Sequence, residues 1–173
     1  MKRNVTDDLN ELFIVVDKKD NIIGFRTRYE CHHNKSLIHR AVGVVVFDNK
    51  GRILLQKRSL TKDLQPGYWG ISAAGHVSKG ETYEQAVKRE LMEELGVDVL
   101  VEHVNTRSFE DERESEMHAL YRVLYEGPFR TSPEEIDHVE FFGKEELAEK
   151  IKSGHVKLSA WAIATLQHIS FLP

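Results

Sequence analysis

Three glutamates carry the clearest chemistry in this chain. Glu90, Glu93 and Glu94 lie within Thr82 to Leu95, a stretch of good helix formers with no proline or glycine. At 3.6 residues per turn, the i, i+3, i+4 spacing puts the three carboxylates within an arc of about 100° on one helix face. Like charges at that spacing oppose one another by a few tenths of a kcal/mol each in water, and by more where burial removes solvent. The cluster makes sense chiefly if a cation neutralises it. Oxygen-only donors suit the hard divalent ions Mg²⁺ and Mn²⁺, and Mg²⁺ is commonly shared between a few carboxylates and substrate phosphates. Phosphate-ester or diphosphate chemistry is therefore indicated. The competing reading of the same residues is a solvated acidic face balanced by Lys88 and Arg89.

Elements on either side must hold this helix in place. Leu12 to Val16 and Ile22 to Phe25 flank the polar turn Asp17 to Asn21 and predict a hairpin. Tyr29 to Arg40 reads as irregular and carries His32, His33 and His39. Ala41 to Phe47, the turn residues Asp48-Asn49-Lys50-Gly51, and Arg52 to Arg58 predict a second hairpin. Asp63 to Gly67 and Gly75 to Gly80 read as loops on either side of a strand-like Tyr68 to Ser72. In the glutamate helix, Tyr83, Val87, Leu91 and Leu95 recur every four positions, and Gly96 is placed to end it with φ > 0. Ala119 to Tyr125 and Val139 to Phe142 predict strands, and Lys144 to Lys152 and Ser159 to Ser170 predict helices. Strands with helices on their faces indicate a layered α/β or α+β domain. With no repeat or linker to divide it, residues 1–173 are expected to form a single domain, in which 1–40 are an N-terminal hairpin and extension; Met1 to Asn10 are polar and expected to be mobile.

The segment from Gly75 to Val97 resembles the Nudix box at every defined position: Gly75, Glu81, Arg89-Glu90-Leu91, Glu93-Glu94 and Gly96-Val97. This resemblance implies the Nudix fold, a mixed β-sheet sandwiched between helices, with a loop-helix-loop holding divalent metal against a diphosphate. It implies that Glu90, Glu93 and Glu94 are metal ligands, that Glu81 is a further ligand or orients water, and that Arg89 pairs with the acidic cluster and orients it. One of these glutamates would act as general base in Mg²⁺- or Mn²⁺-dependent hydrolysis of a diphosphate linkage. Lys57 and Arg58 are candidate phosphate contacts by charge, or two surface basic residues.

Outside the box, Leu12 to Val77 resembles the Nudix branch that contains isopentenyl diphosphate isomerase. The likeness rests on Val16-Asp17, Gly24, His32, Leu37-Ile38-His39-Arg40-Ala41, Gln56-Lys57-Arg58-Ser59, Pro66-Gly67-Tyr68-Trp69 and Gly75-His76. It implies a second metal site of three histidines and two glutamates, matched here by His32, His39, His76, Glu114 and Glu116, which would suit Mn²⁺, Zn²⁺ or Mg²⁺. The alternative is that His39 packs beside a strand and His32 is a loop residue. Two departures set this chain apart from that isomerase. Its cysteine before the Gly-His pair is replaced by Ala74, and the box that it carries in degraded form is intact here.

The resulting expectation is a hydrolase acting on a nucleoside diphosphate derivative or related organic pyrophosphate. Its alternatives are an isomerase-type enzyme, disfavoured by Ala74, and a non-catalytic sensor of a nucleotide diphosphate. Tyr68, Trp69 and Phe109 are candidates to stack on a base. A net charge of -4 disfavours a nucleic-acid partner. The lack of a long apolar run disfavours a membrane, and a cytoplasmic protein is expected. With Cys31 as the only cysteine, no intramolecular disulfide can form. Strand edges in the N-terminal hairpin leave a homodimer open.

Overall fold

The structure, a computed structural model, describes residues 8–62 and 65–173. The expected mobility of Met1 to Asn10 falls mostly outside them, as do two residues of the loop expected at Asp63 to Gly67. The organising element is β3 (Ile38–Phe47), whose apolar run is buried on both faces from Ala41 to Val46. Along one side it pairs in parallel with β8 (Ser115–Leu124) over its whole length. Along the other it meets three antiparallel strands in turn: β1 (Leu12–Val16), β6 (Ala73–His76) and β4 (Ile53–Arg58). The sheet is completed by β2 (Ile22–Thr27) beside β1, β5 (Trp69–Gly70) and β9 (Ile136–Phe142) beside β4, and β7 (Glu102–Glu110) beside β8.

Helices cover both faces of this mixed sheet. On one face α2 (Tyr83–Leu95) packs Ala86, Val87, Leu91 and Leu95 against Val42, Val44, Ala73 and Ala119. On the other, α3 (Lys144–Lys152) and α4 (Ala160–His168) contribute Leu147, Ala162 and Leu166 to a core with Val45, Ile53, Leu55, Trp69 and Phe142. A four-residue helix, α1 (Arg28–Cys31), overlaps the start of the stretch expected to be irregular. This is the layered α+β architecture expected from the sequence. No helix among the described residues is long and apolar enough to cross a membrane.

Two local expectations are corrected. Ala41 to Phe47 and Arg52 to Arg58 pair only at Phe47 and Ile53, because β4 turns away to pair with β9 along its length. The loop expected from Gly75 is strand through His76, since β6 completes the ladder of β3.

Candidate active site

The ends of α2 are set by local chemistry. Thr82 and Gln85 form a reciprocal capping box, and Gly96, at φ 64, closes the helix in the left-handed region. With the apolar stripe buried, Glu90 and Glu94 are drawn down against the sheet while Glu93 stays exposed. Glu90 lies directly under Gly75, where any side-chain carbon would overlap its carboxyl group. A side chain at that position would have to push the Glu90 carboxyl aside.

Arg89 gathers the acidic groups. Its Nε and Nη2 donate to the two oxygens of Glu81 at 2.7 and 3.0 Å, and its Nη1 donates to Glu90 at 2.7 Å and Glu93 at 3.1 Å. Nη2 also donates to the His76 carbonyl at 3.0 Å, which fastens α2 to β6. Glu94 is held from the opposite side, where its Oε2 accepts the Gln56 amide at 2.8 Å and the Ala74 N–H at 3.1 Å. Burial pushes the Glu90 carboxyl up to about 7 against the opposing pull of Arg89, and pushes Glu94 up to about 8, with the Glu90 charge adding to the effect. Burial alone would also raise Glu81, but the hydrogen bonds from Arg89 and Ser78 carry it below the ordinary carboxylate value.

These carboxylates face a cavity of about 810 Å³ also lined by Arg28, Arg58, Lys62 and Lys79. Acids on one helix opposite bases from other elements form a setting for a divalent cation and a polyphosphate together. Lys57 is not part of it: alternation along β4 turns its side chain away, to Asp137 at 3.1 Å, while Arg58 reaches the cavity. Arg28, Lys62 and Glu135, which pairs with Lys62 at 2.6 Å, join the cavity from distant segments. No motif spacing marks them, because they come from α1, the segment after β4 and the segment before β9, which only the fold brings together.

A second cluster lies across β6. His39 opposes Glu116 in the β3–β8 ladder, and Ala41 opposes both His76 and His118, so these side chains share one face of the sheet. His32, from just after α1, completes the group. His32 Nε2 is 3.4 Å from His76 Nε2 and 3.2 Å from Glu114 Oε2. Glu116 Oε1 is 3.8 Å from His39 Nε2 and 3.5 Å from His76 Nε2. The four groups His32, His39, His76 and Glu114 each offer a ligand atom within 4.8 Å of the others. Octahedral coordination with bonds of about 2.1 Å has edges of about 3 Å, so a modest contraction would close this set around one ion.

The electrostatics also fit a cation. Burial depresses the His39 imidazole to about 3 and holds His76 well below its ordinary value, so both rings are neutral and able to bind metal. His39 Nε2 is buried with no hydrogen-bond partner among the described residues. Burial, reinforced by Glu114 and Asp111, pushes Glu116 well above the ordinary carboxylate value. Phe13, fully buried, stacks on the His76 ring at 4.1 Å and walls the cluster.

Beside the histidines is a second cavity, of about 480 Å³, lined among others by Tyr68, Ala74, Phe109, His118 and Trp161. Ala74, Gly75, His76 and Arg58 line both cavities, so β6 is a shared wall. Tyr68 and Phe109 reach this space, whereas Trp69 is buried edge-on against Phe142 in the core. Trp161, on α4, packs against the core and stacks on His118 at 3.6 Å at the cavity wall. Cys31 is buried among Phe13, Val15 and Leu37, with its thiol pushed up to about 12 by burial. Ser72 donates to the Leu54 carbonyl and accepts the Val46 N–H inside the sheet.

Comparison with known proteins places these features in context. Residues 37–162 match the model of the NUDIX domain. The chain is 29% identical over 166 residues to an isopentenyl-diphosphate Delta-isomerase of Serratia proteamaculans, covering 93% of this chain and 92% of the relative. It is 34% identical over 144 residues to an uncharacterized Nudix hydrolase of Pseudomonas aeruginosa, covering 83% and 85%. A crystal structure of a Deinococcus radiodurans protein superposes with a TM-score of 0.77 at 24% identity, covering 91% of this chain and 98% of that one, a likeness of fold.

Proposed function

The chain belongs to the Nudix family, and from that premise we propose that it hydrolyses a diphosphate linkage in a nucleoside diphosphate derivative or related organic pyrophosphate. The reading is carried by one observation: Glu90, Glu93 and Glu94 of α2, the first two tied to Arg89, line a cavity whose other walls supply Arg28, Arg58, Lys62 and Lys79. Glu90, Glu93 and Glu94 would hold Mg²⁺ or Mn²⁺, with Glu81 as a further ligand or water-orienting group. Bound there, the cation supplies Lewis-acid polarisation of the diphosphate and offsets charge on the departing phosphate. The basic side chains bind the phosphates, and Arg89 keeps Glu81, Glu90 and Glu93 converged. Glu93 is exposed toward solvent, so a proton taken from the attacking water can pass from it to bulk; it is assigned as general base.

The test is a screen of nucleoside diphosphate derivatives, dinucleoside polyphosphates and coenzyme-type diphosphates with Mg²⁺ or Mn²⁺. Release of phosphate-containing products is expected, with Glu93→Gln and Glu94→Gln folded but nearly inactive. Turnover indifferent to a chelator would overturn the assignment.

A second reading, an isomerase of allylic diphosphates, draws support from the histidine–glutamate cluster beside the aromatic cavity and from the similarity to isopentenyl-diphosphate isomerases. In this reading His32, His39, His76, Glu114 and Glu116 hold Mn²⁺, Zn²⁺ or Mg²⁺. Against it stands Ala74, which has no ionisable group, while the single thiol, Cys31, is buried in another cluster. Double-bond migration should therefore be undetectable, and its detection would favour the isomerase.

A further inference from the structure

Gln56 belongs to neither group of residues expected to bind metal or phosphate, yet it is buried on β4 and reaches between the two cavities. Its amide donates to Glu94 Oε2 at 2.8 Å, and the Ala74 N–H donates to the same oxygen at 3.1 Å. Glu94 Oε1 has no hydrogen-bond partner among the described residues. An ionised carboxylate accepts only, so two N–H donors on one oxygen fix the rotation of the group and favour its charged form. We propose that Gln56 is a positioning residue of the hydrolytic centre: with Ala74 N–H it locks Glu94 Oε2, so that Glu94 serves as a cation ligand through Oε1 and takes no part as proton acceptor.

This inference rests on the hydrolase reading and assigns a role within it. The division of labour follows from the contacts. Glu94 is clamped to the sheet on the side away from Arg89, whereas Glu93 is tied to α2's own arginine and exposed. Two elements converge on Glu94: β4 through Gln56 and β6 through the Ala74 backbone. The backbone donor cannot be removed by a side-chain change, so Gln56 is the replaceable half of the lock. Outer partners that orient metal ligands typically change affinity or activity by about 10- to 100-fold when lost.

The experiment measures Mn²⁺ dissociation constants, together with kcat and KM, for the full chain and for Gln56→Met, which keeps length but removes the donor. Gln56→Asn, which withdraws the amide by one methylene, serves if the Met variant does not fold. The expected result is Mn²⁺ binding weakened about 10-fold or more, a matching fall in kcat, and KM changed less than twofold. In a Glu94→Gln background the same Gln56 change should have almost no further effect on Mn²⁺ binding, whereas a general structural role would weaken both backgrounds alike. Equal losses in the two backgrounds, or unchanged Mn²⁺ affinity in a folded Gln56 variant, would overturn the role of Gln56 alone. A wild-type chain that binds no Mn²⁺ would overturn the hydrolase reading and this inference together.

Discussion

Arg89 illustrates how much one side chain can organise. It makes five hydrogen bonds, four to three different glutamates and one to the backbone of β6. Replacing it by methionine leaves partly buried acids without their counter-charge, and kcat/KM should fall by about 10- to 100-fold as the carboxylates spread. Steady-state kinetics on a variant shown to be folded by circular dichroism checks this. The raised carboxyls of Glu90 and Glu94 make a second expectation. Their folded values, about 7 and about 8, lie above the reference of 4.5, so the protonated form is the one favoured by folding. Their contribution to stability is present below that reference and is lost as pH rises through the folded values. In chelator, this pair should lower stability between about pH 5 and pH 8.5, and Mn²⁺ should offset the loss. Because the cation needs the ionised form, its affinity should rise with pH over the same interval, with proton release seen by calorimetry in buffers of different ionisation enthalpy. Affinity independent of pH would count against these two residues as ligands.

At the scale of elements, β6 and α2 act as one unit. Ala74 donates to Glu94, Gly75 makes room for Glu90, and the His76 carbonyl accepts from Arg89, while the His76 ring enters the other cluster. Gly75→Ala should therefore be more damaging than an ordinary glycine replacement in a strand. Its added carbon must displace the Glu90 carboxyl, so Mn²⁺ binding and turnover should both fall by at least about 10-fold, measured alongside thermal unfolding. By contrast, Thr82→Ala removes only the cap and should cost about 1 kcal/mol with catalysis per folded molecule retained. Urea unfolding separates the two. β7 lacked any sequence signal strong enough to predict it: Glu102 to Glu110 alternates weakly, with polar residues on most positions, and becomes a strand by pairing with β8. β8 in turn begins at Ser115, four residues ahead of the strand expected from Ala119, because the parallel ladder with β3 extends that far.

For the whole molecule, cation binding by the two proposed ligand clusters on opposite sides of one strand would contribute to global stability. A cation that binds the folded state alone at 100 times its dissociation constant adds about 2.7 kcal/mol. Mn²⁺ or Zn²⁺ should raise the midpoint of thermal unfolding of wild type. Of the two ligand sets, His32→Ala removes a member of the histidine cluster only, so the part of the rise that persists in that variant belongs to the carboxylate helix. If the variant gains as much as wild type with each ion, the histidine cluster is not a metal site. At the sheet edge, β2 exposes Ile22, Ile23 and Phe25, the surface behind the expectation of a homodimer. Sedimentation equilibrium tests that expectation, and a monomer at micromolar concentration would remove it.

The sequence by itself determined the carboxylate helix, its caps and its convergent face, because these depend on spacing and short-range hydrogen bonds within about 20 residues of chain. The resemblance to the box and to the isomerase branch points to Glu81, Arg89, His32, His39, His76, Glu114 and Glu116 from residue types and spacing alone. Only the tertiary structure could decide that Arg58 faces the cavity and Lys57 does not, since a bulge in the β4–β9 ladder and the pleat of β4 set the direction. It alone brought in Arg28, Lys62 and Gln56, and set Trp161 at a cavity wall. Those placements arise from contacts between segments tens of residues apart, and no local pattern of residue types encodes which side of a strand will meet which helix.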